Sequence, residues 1–291
     1  MRFTKPRGVS AANCVEKTIL ALCSELNPKL LQYNKAEDKW EEYASIKIDY
    51  ELYRTILKDD HLLFIGGWES ATLNVVRSWN IRNKTWQNLP AMSKARSRHC
   101  VVELDDKIYA IGGCDGNKDL SSVERYTTSD GWVFVTSLIV GRNNAGAATL
   151  NGKIYAMGGY NNNGGLKSVE CYNPDSNTWT SCADMTKCHS LPCVAAHKGR
   201  IYVLSRRGAE RYDPQLDTWS QICFLEVGPG WMSCVSLDNK LWALGGKSKS
   251  ADKSCVSVFD EENSCWVESC SLPESIVRNC FVVPESLLSS M

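Results

Sequence analysis

Fourteen cysteines and four histidines are the side chains here best suited to metal binding or nucleophilic chemistry. Their spacing assembles neither. No Cys-x-x-Cys pair occurs, and His61, His99, His189 and His197 form no zinc-ligand pattern. Nucleophile-elbow, Walker and His-Glu-x-x-His signatures are missing, and His and Asp show no motif-grade pairing. The glycine-rich run NNNGG at 161–165 would cradle a phosphate only at the start of a helix. It lies between two strand-like runs and reads as a loop. Cys100, Cys171, Cys193, Cys234 and Cys280 fall inside apolar runs and read as small hydrophobes in a reducing cytosol. The expectation is a binding protein, not an enzyme, with no cofactor and no metal.

The chain that must position any binding residues is 291 residues long and 43% hydrophobic, enough for a large core. Lys+Arg and Asp+Glu both total 33, so bulk charge favours neither nucleic acid nor an anionic membrane surface. No apolar run reaches spanning length, and the N-terminus has no signal-like hydrophobic region, so a cytoplasmic location is expected.

Residues 142–185 hold four short β-like runs, at 145–150, 153–157, 168–172 and 178–182. Asn151-Gly152 is a tight-hairpin signal, because both positions tolerate φ > 0. The unit has nowhere to bury its faces alone, and the rest of the chain repeats it. Trp40, Trp86, Trp132, Trp179, Trp219 and Trp266 follow one another at intervals of 46, 46, 47, 40 and 47. Gly-Gly pairs fall at 66–67, 112–113, 158–159 and 245–246. Four strands at a period in the forties predict a β-propeller. Five complete units, a first unit lacking one strand and a lone strand at 278–283 add up to six blades. The lone strand is expected to pair with 19–23 and close the ring, leaving no sheet edge open. Residues 1–17 read as an arm or linker remnant, 18–284 as the propeller and 285–291 as a tail.

The runs IYAIGG, IYAMGGY, VERY and YNPDSNTW, with the endings LPAM and CADM, resemble kelch repeats. The resemblance spans about residues 18–284 and is closest to the propellers of the Kelch-like (BTB–BACK–Kelch) family. Cys23-Ser24 and Ser205-Arg206 stand where two units should have Gly-Gly, which predicts altered loops there. TKPRG near the N-terminus is similar to a linker from a BACK domain, yet this sequence contains no BTB or BACK segment. An isolated domain or a truncated product is therefore expected. Some kelch-type propellers are copper oxidases, but the four histidines occupy non-equivalent repeat positions.

In the Kelch-like family the substrate pocket surrounds the central channel, lined by an arginine opening each first strand and by the residue after Gly-Gly. Sixteen residues before the onset of each Gly-Gly, or its equivalent, stand Tyr50, Arg96, Arg142, His189 and Pro229, and the closing strand opens with Arg278. After Gly-Gly come Trp68, Cys114, Tyr160 and Lys247, with Arg207 at that place in unit five. The resemblance thus implies a partner-binding ring of Arg96, Arg142, Arg207, Arg278, Trp68, Tyr160, His189, Tyr50 and Lys247. Guanidinium groups suit a carboxylate or phosphate, so an acidic or phosphorylated loop of a partner protein is expected. The implied role is substrate recognition for a cullin-RING ubiquitin ligase, reached only through a BTB domain absent here. The alternative is an actin-binding scaffold.

Overall fold

The computed structural model describes residues 15–24, 26–225, 231–247, 254–274 and 276–289. Most of the proposed N-terminal arm, Pro229 and the loop after Lys247 lie outside the described residues. Six four-stranded antiparallel sheets form the blades of a propeller. Blade 4 shows the common plan: inner strand Gly146–Leu150, then Lys153–Met157, Val169–Asn173 and outer strand Thr178–Cys182. The inner strands of blades 2, 3, 5 and 6 are Arg54–Lys58, Cys100–Leu104, Cys193–His197 and Met232–Leu237.

Blade 1 takes its inner strand from the C-terminus. Val277–Pro284 pairs antiparallel with Lys17–Cys23, from Lys17 opposite Pro284 to Cys23 opposite Val277. The ring therefore closes as the repeat count predicts. The following helix, Glu285–Leu288, buries Leu287 and Leu288 in the apolar cluster between blades 1 and 2, so the tail docks on the ring.

Apolar strand residues segregate into six clusters, one at each blade–blade contact. That is why no blade is stable alone: each sheet buries its two faces against its two neighbours. The periodic tryptophans belong to this contact. Tyr172 and Trp179 stand opposite each other on adjacent strands, their rings 5.1 Å apart. The indole N–H of Trp179 donates to Thr136 O of the preceding blade at 2.9 Å. Trp132, Trp219 and Trp266 donate likewise to Pro90 O, Ala183 O and Cys223 O. One side chain thereby supplies buried apolar area and a hydrogen bond across the seam.

The Gly-Gly pairs have a steric cause. At φ +61, a Cβ on Gly112 would lie 2.6 Å from Arg142 O, and Gly66 and Gly158 meet Arg96 O and His189 O in the same way. The neighbouring N–H groups use that approach: Gly67, Gly113 and Gly159 donate to those three carbonyls. A side chain at the first glycine would push adjacent blades apart.

Near the axis the inner strands converge, and Cys193 and Cys234 face each other across blades 5 and 6, with Cα atoms 5.9 Å apart. No helix among the described residues is long and apolar enough to cross a membrane.

Candidate functional site

The face that carries the Gly-Gly ends also carries the loops between blades, so all the expected site residues converge there. Burial divides them. Arg96 is fully buried, its guanidinium donating to Gly112 O at 2.8 Å, Ser122 O at 2.9 Å and Glu124 Oε1 at 2.8 Å. Arg142 repeats the pattern with Gly158 O, Ser168 O, Ser168 Oγ and Glu170 Oε1. The glutamates complete the clamp by accepting backbone N–H groups of the incoming linker: Ser93 and Lys94 on Glu124, Ile139 and Val140 on Glu170.

His189 is the shorter version. Its ring bridges Ser205 Oγ at 2.7 Å and Glu210 Oε1 at 2.8 Å, and Glu210 accepts the N–H groups of Thr186 and Lys187. Ser205, where other units have glycine, supplies the hydroxyl that an imidazole can reach. Tyr50, also buried, opens the one complete unit whose third strand carries Arg77 at the glutamate position. Arg96, Arg142, His189 and Tyr50, expected to line the partner-binding ring, are thus buried. The first three spend most of their polar groups inside the blade, fastening each linker to the blade that follows it, while the Tyr50 hydroxyl is buried without a hydrogen bond among the described residues.

The clamp in blade 5 has a pH signature. Burial acts to raise the pKa of Glu210, but hydrogen bonds from His189 and from Thr186 leave it below the ordinary 4.5. A folded-state pKa below the unfolded one stabilises the fold above the carboxylate range, and that contribution is lost as pH falls through the folded value. Glu210→Gln is expected to lower the melting temperature at neutral pH and to flatten its decline in acid. A variant with the wild-type acid slope would contradict this.

What remains on the face is exposed. Trp68 and Tyr160 are 41% and 43% accessible, among the largest exposed apolar side chains. Trp68 borders a groove of about 370 Å³ with Glu51, Leu52, Ser97, Arg98 and Cys114. Arg207 lies with Lys187, Arg206 and the exposed Phe224 around a second groove of about 270 Å³. Ser205 pairs with Gly208, so Arg206 and Arg207 form the tip of a two-residue turn, the shortened loop expected where Gly-Gly is missing. Arg278 is half-buried at the axis, its guanidinium carbon 4.1 Å from the centre of the Trp231 ring. Lys247 ends the strand Lys240–Lys247, and its side chain lies outside the described residues.

Sequence reasoning missed Arg54, Arg98 and Arg206. Arg98 stands two residues beyond Arg96 and is exposed where Arg96 is buried, because its backbone leaves the extended region at φ 54 and turns the side chain outward.

Comparison with known proteins finds the family described as Kelch motif at residues 95–138 and 141–186, which are blades 3 and 4. The chain is 25% identical to Kelch-like protein 35 of Mus musculus, over 68% of this chain and 27% of that protein. It is 28% identical to Kelch-like protein 26 of Danio rerio, over 76% and 38% respectively. Alpha-scruin of Limulus polyphemus is 26% identical over 84% of this chain and 24% of its own length. The chain thus spans about a quarter of the length of two of these relatives and under two fifths of the third.

Proposed function

Because the chain is a kelch-repeat propeller of the kind found in Kelch-like proteins, we propose that it binds a segment of a partner protein on its Gly-Gly face, recruiting that partner to a cullin-RING ubiquitin ligase. The observation that carries this is the alternation of exposed aromatics and cations around the axis: Trp68 with Arg98, Tyr160, then Arg206 and Arg207 with Phe224. Trp, Tyr and Arg are the residue types that dominate interface energetics. The cations suit an acidic or phosphorylated loop, on a chain whose net charge is zero. The role is recognition, without catalysis, in the cytoplasm. Contact with the cullin requires a BTB domain joined to the propeller.

An array of acidic and phosphorylated peptides tests this reading. Binders of the wild type are expected to lose about tenfold or more in affinity for Arg206→Ala/Arg207→Ala, since a charge-assisted hydrogen bond is worth about 1.5–3 kcal/mol. Equal affinity for both proteins would remove these arginines from the site.

Similarity to alpha-scruin along most of the chain supports a second reading, an actin-binding scaffold. Co-sedimentation with actin filaments separates the two, and failure to pellet at micromolar concentration rejects the scaffold.

A further inference from the structure

The axial channel holds a cavity of about 180 Å³ lined by the inner strands of all six blades. Two of its described lining residues are arginines, Arg54 and Arg278, and none of those described is acidic. Its other polar side chains are occupied with one another. Asn279 donates through Nδ2 to Thr55 O and Thr55 Oγ1, and its Oδ1 accepts from Ser233. The backbone N–H of Cys280 donates to Ser233 Oγ. This network links blades 1, 2 and 6 and leaves the guanidinium of Arg54 as a donor facing the cavity. Arg54 makes one long hydrogen bond, to Tyr53 O at 3.4 Å, although a guanidinium carries five N–H groups in a fixed fork.

The surroundings add to its positive field. Burial pushes the pKa of Arg54 down; Cys100 acts against this and Arg98 adds to it. His99, fully buried, is driven well below its ordinary value first by burial and then by Arg96 and Arg54, so it stays neutral near physiological pH. Arg96 already has Glu124, whereas no carboxylate among the described lining residues faces Arg54. Arg54 is half-buried and its fork stays open to the channel, so an anion there gains a charge-assisted contact with it.

We propose that the channel is a binding site for one small oxyanion, a phosphate or a carboxylate, held by the guanidinium fork of Arg54. The cavity is smaller than the roughly 300–1,000 Å³ of sites that enclose drug-sized ligands, which excludes a nucleotide and leaves room for a tetrahedral or planar oxyanion. The site is distinct from the exposed ring of Trp68, Tyr160 and Arg207, and it needs no partner protein to fill.

The test is a melting-temperature titration of the whole chain with inorganic phosphate and, separately, acetate, against sodium chloride at matched ionic strength. The wild type is expected to show a saturable rise with at least one of the two anions. Lys153→Ala, on an exposed hairpin at the opposite end of blade 4, keeps that rise, whereas Arg54→Gln binds at least tenfold more weakly. No saturable rise with either anion, or an equal rise in Arg54→Gln, overturns the proposal. Should Arg54→Gln fail to fold, butanedione modification of Arg54 in the wild type, followed by mass spectrometry, reads the same contact. Protection by the anion is expected, and an unchanged rate overturns the proposal.

Discussion

Replacing Arg142 with methionine is expected to destabilise the propeller by about 3–5 kcal/mol, the cost of leaving the other member of a buried ion pair without its partner. Arg142 and Glu170 are 1% and 2% accessible, and their N–O distance is 2.6 Å. Losing the guanidinium strands Glu170 and also frees Gly158 O, Ser168 O and Ser168 Oγ. Arg142→Lys is expected to recover only part of the loss, because one ammonium cannot reach four acceptors set out for a planar fork. Lys167→Ala is the control: its pair with Asp184 is about half exposed, and such pairs contribute about 0–1 kcal/mol. Urea denaturation at neutral pH measures all three. An Arg142→Met loss no larger than that of Lys167→Ala would show that the clamp does not hold the linker.

A chain ending at residue 274 is expected to lose cooperative unfolding altogether. It lacks the closing strand, and with it the buried side chains of Val277, Cys280, Phe281 and Val283, together with Leu287 and Leu288 of the docked helix. Lys17–Cys23 then becomes a sheet edge whose residues from Ile19 to Cys23 are all fully buried in the intact ring. Long apolar edges of that kind recruit other chains, so the truncated protein is expected to aggregate rather than to melt at a lower temperature. Calorimetry with light scattering distinguishes these outcomes. A soluble truncated chain with a sharp transition near that of the wild type would mean that the ring does not depend on its closure.

The fold was legible because its cause is periodic. The in-phase tryptophans recur once per blade, five of them donating a hydrogen bond from the indole, and Gly66, Gly112 and Gly158 admit the next blade's carbonyl, so counting the tryptophans counts blades. The site was less legible because position along a strand does not reveal where a side chain's hydrogen bonds are satisfied. Arg96 and Arg142 sit at the right places to line a channel, yet their partners are the glutamates of VERY and VECY, 28 residues further on. That pairing left a trace in the sequence. His189 replaces arginine in the unit where serine replaces glycine, and Tyr50 does so in the unit where Arg77 replaces glutamate. Arg54 left no comparable trace, since only strand register shows that it shares an axial layer with Cys100, Gly146, Cys193, Ser233 and Asn279.

In the function proposed above, one face of a closed six-bladed ring recognises a protein partner while the buried clamps only hold the ring together. Quantitative affinity capture from cytosol tests it most directly, comparing the wild type with Trp68→Ala/Tyr160→Ala and with Leu216→Ser on the opposite face. Expected is a set of captured proteins that Leu216→Ser retains in full and that Trp68→Ala/Tyr160→Ala loses while melting like the wild type. Capture equally preserved in Trp68→Ala/Tyr160→Ala, or lost only in Leu216→Ser, would place recognition elsewhere on the propeller.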